Sequence, residues 1–258
     1  MFLAADFRGN INTILIPVNI IKLNAIGSTN EYLKNLSKET NLADGTVVMA
    51  KDQTKGRGQM GTSWWSESGK SLAFSVFKSF EGIALDQQFT ITIQVSLSLI
   101  KCLQQFGIPN LSVKWPNDIM SDGKKLCGIL IENQVQGNRV TATVVGIGLN
   151  VNNNAFPKLP KATSMLLSSG HTFPVEGVFQ TIIQEIIGGL THFYADHHHL
   201  FGMYEESLFR KDQVSVFSAN EKQFNGIIRG ISPMGELKVE LEDEAVQTYR
   251  LKEIQLLN

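Results

Sequence analysis

The chain has 258 residues, 43% of them apolar, which is enough for one large domain or for a large domain plus a small one. Its 23 Lys and Arg against 24 Asp and Glu leave a formal charge of −1, so the molecule as a whole offers no field for nucleic acid or anionic lipid. Two cysteines, Cys102 and Cys127, are too few for a disulfide framework, and no stretch reaches the roughly 20 apolar residues that span a bilayer. Reduced buried thiols, a cytoplasmic location and no membrane partner are the expectation.

The N-terminal run TILIPVNII is broken by Pro17 and Asn19 and follows no basic segment, so it does not read as a targeting signal. Ser28-Thr29-Asn30-Glu31 has the form of a capping box and predicts a helix of about 12 residues with Tyr32, Leu33 and Leu36 inward. Residues 46–53 (TVVMAKDQ) and 71–79 (SLAFSVFKS) read as strands on β-branched content and alternation. Between them lies GRGQMGTSWWSESGKS. Gly69-Lys70-Ser71 ends like a Walker A loop, but Trp64 stands where its first glycine is required, so that phosphate cradle is excluded.

Apolar residues at helical spacing (Phe89, Ile93, Val95, Leu97, Ile100, Leu103) predict a helix over 86–106 that stops at Gly107 and Pro109. Three strand-like runs follow at 111–115, 124–134 and 139–152, separated by the turn-rich connectors PNDIMSDG and VQGN. Short connections favour antiparallel pairing, and the expected architecture is α+β, a mixed and mainly antiparallel sheet with helices on one face. Residues 175–210 read as helical. From about 211 the texture changes to short alternating strands divided by SANE, SPMG and EDE, which predicts a catalytic domain over 1–210 and a small C-terminal β-barrel over 211–258.

Each chemical candidate has a plainer reading. Ser28 serves as a helix cap whether or not it meets a ligand. Lys114-Trp115-Pro116-Asn117-Asp118 reads as a strand end and an Asn-Asp turn. Gly146-Ile147-Gly148-Leu149-Asn150 begins like a dinucleotide fingerprint, yet Val151 replaces the third glycine and no helix opens there; glycines inside a strand point instead to close approach of a ligand or backbone. His197-His198-His199, with His192 before them, is not read as a metal centre, because consecutive helical residues point in different directions. What remains is a set of cations beside glycines, Lys55, Arg57, Lys114, Lys124 and Lys125, suited to a reaction that joins two anions.

The motifs STN (28–30), QTKGRGQMGTSWW (53–65), KWPND (114–118), KKLCGILIE (124–132) and GIGLN (146–150) resemble, in order and spacing, those of the biotin protein ligases. The resemblance implies a class II synthetase-like α+β domain followed by an SH3-like barrel. It also implies a reaction in which biotin and ATP form biotinyl-5′-AMP, whose biotinyl group passes to a lysine of a biotin carboxyl carrier domain. Mg²⁺ is implied with the nucleotide, and no residue is assigned as its ligand. Carried over by matching position, Lys125, Arg57 and Asp118 are the catalytic candidates. Biotin would meet Ser28, Thr29, Asn30, Gln53, Gly56, Arg57, Gly58, Gln59, Lys125 and Gly128. ATP would meet Arg57, Trp64, Lys114, Asn117, Lys125, Gly146, Gly148 and Asn150, with Trp64 stacked on adenine.

The glycine-rich connector is expected to be a flap that closes over these ligands. Two departures stand out: Gln59 replaces a second arginine common in the family, and about 20 residues precede the catalytic segment, too few for a helix-turn-helix. No DNA partner is therefore expected, with the protein a monomer or homodimer. A lipoate or octanoate ligase or transferase of similar fold, and a non-catalytic biotin or adenylate sensor, are the competing readings.

Overall fold

The computed structural model describes residues 16–192 and 197–257. The N-terminal run before residue 16, the middle of the helical stretch expected over 175–210, and the side chains of His192, His197 and His198 lie outside the described residues.

Among the described residues a seven-stranded sheet has the order β1-β2-β3-β7-β6-β5-β4. Its strands are β1 (Ile20–Ile26), β2 (Val47–Gln53), β3 (Ser71–Ala84), β4 (Leu111–Lys114), β5 (Asp118–Ser121), β6 (Lys124–Gln136) and β7 (Arg139–Asn150). Helix α1 (Thr29–Glu39) carries the chain from β1 back to β2, and these two strands pair in parallel. All other pairings in the sheet are antiparallel, as short connections require. The mixed, mainly antiparallel α+β sheet is thus the one expected.

The two faces of the sheet differ. On one, Val47, Phe74, Val76, Val145, Ile147 and Leu149 join the main core, where α2 (Phe89–Gln105) and α4 (Val175–His192) also pack. On the other, Val48, Phe77 and Val144 meet Leu33 of α1 in a much smaller cluster. Helices were expected on one face; α2 and α4 keep to it, while α1 covers the opposite one. Ser28 caps α1 as expected, its hydroxyl accepting from the Glu31 N–H at 3.5 Å. The connector PNDIMSDG contains a strand, β5, inserted between β4 and β6.

Helices α3 (Met165–Ser169) and α5 (His197–Glu206) complete the first part of the chain. Strands β8 (Val214–Ala219), β9 (Lys222–Ile231), β10 (Leu237–Glu240), β11 (Val246–Tyr249) and β12 (Gln255–Leu257) form an antiparallel sheet of order β11-β10-β9-β8-β12. In that pairing β11 and β12 are the two edges, where a barrel was expected. This sheet is fastened to the first part of the chain just after β4 and at the start of α2: Trp115 Nε1 donates to Gly235 O at 2.9 Å, and Gly235 lies so close to the Phe89 ring that a Cβ there would overlap it.

Candidate active site

On the face that carries α1, the floor at the centre of the sheet is nearly bare. Ser75 of β3 lies opposite Gly146 of β7, Ala73 opposite Gly148, and Gly148 opposite Gly128 of β6. Phe74, Cys127, Ile129, Ile147 and Leu149 alternate with them and fill the other face. Bulk on one side and its absence on the other leave a cavity of about 300 Å³. Its rim comes from four places: Ser28, Thr29 and Asn30 at the start of α1, Gln53 at the end of β2, the connector between β2 and β3, and the β4–β6 turns.

The connector is an ordered hairpin. Gly58 N–H donates to Thr62 O at 2.7 Å, Trp64 N–H to Gly56 O at 2.9 Å, and Arg57 bridges Ser63. A Cβ on Gly56 would overlap the Trp64 carbonyl and one on Gly58 the Thr62 hydroxyl, so these two glycines admit the returning strand of their own hairpin. Trp64 is thereby laid across Gly128 and Gly148; its Nε1 is buried and, among the described residues, without a hydrogen-bond partner. Lys125 Nζ stands 5.8 Å from the Trp64 ring and 2.7 Å from Asp118 Oδ1.

At the α1 end the polar side chains interlock. Thr29 N–H and Thr29 Oγ1 lie 2.9 and 3.1 Å from Gln53 Oε1. Ser75 Oγ is 2.8 Å from Thr29 Oγ1 and 2.5 Å from Asn30 Oδ1. Asn30 Nδ2 donates to Leu130 O and to Glu132, each at 3.2 Å, and Lys34 Nζ pairs with the other Glu132 oxygen at 2.8 Å. Burial pushes the Glu132 carboxyl up, but hydrogen bonds from Lys34 and Asn30, with the charges of Lys34 and Arg57, outweigh it and hold the group below the usual carboxylate value.

The structure gathers Ser28, Thr29, Asn30, Gln53, Arg57, Gly58, Gln59, Trp64, Asn117, Asp118, Lys125, Gly128, Gly146 and Gly148 around this one cavity. Gly56 sits behind it, under Trp64. Asn150 lines an adjoining cavity of about 330 Å³ that shares Trp64 and Lys125, and it donates to Thr163 O at 2.9 Å. Lys114 faces elsewhere, into a crevice with Trp115, Phe209 and Leu237; burial lowers its ammonium pKa, and Asp118 partly offsets that. Sequence reasoning missed Ser75 and Glu132. Their signal was a polar residue inside an apolar run, LAF-Ser-VF and GILI-Glu.

Comparison with known proteins agrees with this geometry. Residues 23–150 match the biotin/lipoate A/B protein ligase family. The bifunctional ligase/repressor BirA of Bacillus spizizenii is 32% identical over 183 residues, 69% of this chain and 56% of that protein. The biotin–acetyl-CoA-carboxylase ligase of Paracoccus denitrificans is 32% identical over 110 residues, 43% of this chain and 46% of the ligase. The chain thus spans about half the length of these curated relatives. The Aquifex aeolicus biotin protein ligase, solved with biotin and ATP, superposes with a TM-score of 0.72 at 27% identity, covering 93% of this chain and 98% of that one. The matched segment runs from β1 to the end of β7 and so includes every strand that floors the cavity. On that footing the chain belongs to the biotin/lipoate A/B protein ligase family.

Proposed function

We propose that this chain is a cytoplasmic biotin protein ligase that forms biotinyl-5′-AMP from biotin and ATP and passes the biotinyl group to a lysine of a biotin carboxyl carrier domain. The observation that carries this reading is that Arg57 and Lys125, from separate segments, border one cavity together with the polar wall of Ser28, Thr29 and Gln53. The Aquifex aeolicus relative binds biotin and ATP, and the same pair is assigned here. Among the described residues no helix is long and apolar enough to cross a membrane.

In the first step a biotin carboxylate oxygen attacks the α-phosphorus of ATP, the bond to the β-phosphate oxygen breaks, and pyrophosphate leaves. Two unit charges about 4 Å apart repel by roughly 4 kcal/mol at an intermediate dielectric. Lys125 and Arg57 offset that repulsion as preorganised cations. Asp118 holds Lys125 at 2.7 Å before the nucleotide arrives, and Trp64 offers a flat face to adenine. In the second step the acceptor amine attacks the acyl carbon, AMP leaves, and the amine loses a proton. Closure of the connector keeps water from the mixed anhydride.

Mg²⁺ fits as an ion brought by the nucleotide. Among the described residues no group of three or more His, Cys, Asp or Glu side chains could hold it, so phosphate oxygens would supply most ligands, with Asp118 the nearby carboxylate. When bound it neutralises phosphate charge. Residues 211–258 are assigned as a second unit beside the catalytic residues 1–210.

Biotin-dependent exchange of pyrophosphate into ATP tests the reading. Exchange is expected with biotin, and Lys125→Ala should lower it by 10²-fold or more, about 2.7 kcal/mol of barrier. Exchange supported by lipoate or octanoate but not biotin would transfer the assignment to that branch of the family. A carrier domain that gains no mass with biotin and ATP would leave only a sensor.

A further inference from the structure

The polar wall of the cavity is a hydrogen-bond chain with a direction. Asn30 is 2% exposed and occupies the slot opened by Gly146, where a Cβ would overlap its Oδ1. Its Nδ2 faces two groups that only accept, the Leu130 carbonyl and the Glu132 carboxylate, which Lys34 keeps ionised. The amide therefore has one orientation, and Oδ1 points at Ser75 Oγ, 2.5 Å away. An amide oxygen cannot donate, so the single Ser75 proton goes to it.

Ser75 then has only lone pairs to offer Thr29 Oγ1, 2.8 Å away. Gln53 Oε1, the other oxygen near Thr29 Oγ1 at 3.1 Å, also accepts only. Whichever of the two takes it, the Thr29 proton is used within the protein, and Thr29 turns lone pairs alone toward the cavity. The Gln53 oxygen is held by the Thr29 N–H at 2.9 Å, which leaves Nε2 as its remaining donor. Ser28 accepts from the Glu31 N–H and keeps its own proton. The wall thus presents two donors, Ser28 and Gln53, beside one committed acceptor, Thr29.

We propose that Glu132, acting through Asn30 and Ser75, is a positioning residue that fixes the direction of this chain and so makes the cavity select a cyclic urea. The urea carbonyl accepts from Ser28 and Gln53, and a urea N–H donates to Thr29. The proposal rests on the biotin reading and adds to it Glu132 of β6, 102 positions beyond Asn30 of α1 and linked through Asn30 to Ser75 of β3. Asn30, expected to bond the urea, works instead from behind Thr29. A dithiolane ring has no N–H for Thr29 and would leave this buried acceptor unmatched.

Isothermal titration tests it with biotin and with the two analogues in which a ring oxygen replaces one or the other urea N–H. The wild-type chain should bind biotin and reject one analogue by about tenfold or more, the value of a lost buried hydrogen bond. Glu132→Gln keeps the shape of the side chain but can donate as well as accept, so of the two groups that orient Asn30 only the Leu130 carbonyl still opposes inversion. In that variant biotin should bind about tenfold more weakly and the discrimination between analogues should shrink to about threefold or less, with the KM for ATP unchanged. Ser75→Ala leaves the Thr29 proton the longer contact, to Gln53 Oε1, and should also shrink the discrimination, and it supplies the answer if Glu132→Gln does not fold. Wild-type protein that fails to bind biotin would remove the functional reading itself. Biotin binding without discrimination, or discrimination that survives in both variants, would remove the role of Glu132 and leave that reading intact.

Discussion

Gly146 and Gly148 sit two residues apart on β7, face the same side of the sheet and are bare for different reasons. A methyl group at 148 would overlap the Trp64 indole, which hangs from the connector and can be displaced; one at 146 would overlap Asn30, which is buried and committed on both sides of its amide. Gly148→Ala should therefore lower biotin-dependent pyrophosphate exchange about tenfold or more while the thermal midpoint holds. Gly146→Ala should instead destabilise the fold by about 1–3 kcal/mol in denaturant titration, the cost of disturbing a buried polar group. Equal effects of the two on stability would contradict the different neighbours assigned to them. Arg57, Trp64 and Lys125 were legible because their motifs carry spacing. Ser75 and Glu132 were not, because alternation reads a serine or glutamate in a strand as solvent-facing, and only the pairing of β3, β6 and β7 reveals that this face is covered by α1.

The connector between β2 and β3 was legible as a glycine-rich loop between two strands, and its internal ladder was not. Glycine spacing suggests mobility, while the contacts of Gly56 with Trp64 and of Gly58 with Thr62 show that absence of a side chain also serves close packing within the hairpin. Biotin and ATP together should slow proteolytic cleavage between residues 55 and 70 by several-fold, measured by mass spectrometry of the first cuts. Cleavage at an unchanged rate would exclude closure. Strand β1 escaped prediction because IIKLNAI is an edge strand whose Lys22 and Asn24 interrupt its apolar pattern. That omission hid the parallel β1–α1–β2 crossover. The handedness of such a unit decides which face its helix covers, so the placement of α1 could not be foreseen without β1.

Acid sensitivity belongs to the molecule as a whole. Burial pushes the Asp44 carboxyl up, but bonds from Lys78 and Ser79 outweigh it and hold the group below its ordinary value of 3.8. A carboxyl depressed on folding stabilises above the unfolded pKa, and the contribution fades as pH falls through the folded one. Half-exposed as Asp44 is, the contribution is under about 1 kcal/mol. Asp44→Asn should melt below the wild-type protein at pH 6, and the gap should narrow as pH falls below 3.8. A gap that stays constant across this range would assign Asp44 no linkage. Glu132, Glu176 and Glu240 are depressed as well, so acid weakens both sheets.

Tyr204 Oη donates to Pro116 O at 3.0 Å and Trp115 Nε1 to Gly235 O at 2.9 Å, so the turn bearing Asn117 and Asp118 is suspended from the far end of the polypeptide. Two genes divided at codon 211 would keep the Tyr204–Pro116 bond within the first fragment and put Gly235, the acceptor for Trp115, on the second. Fused to interacting partners, such fragments would regain the Trp115–Gly235 contact only on meeting, so support of the turn would report their encounter.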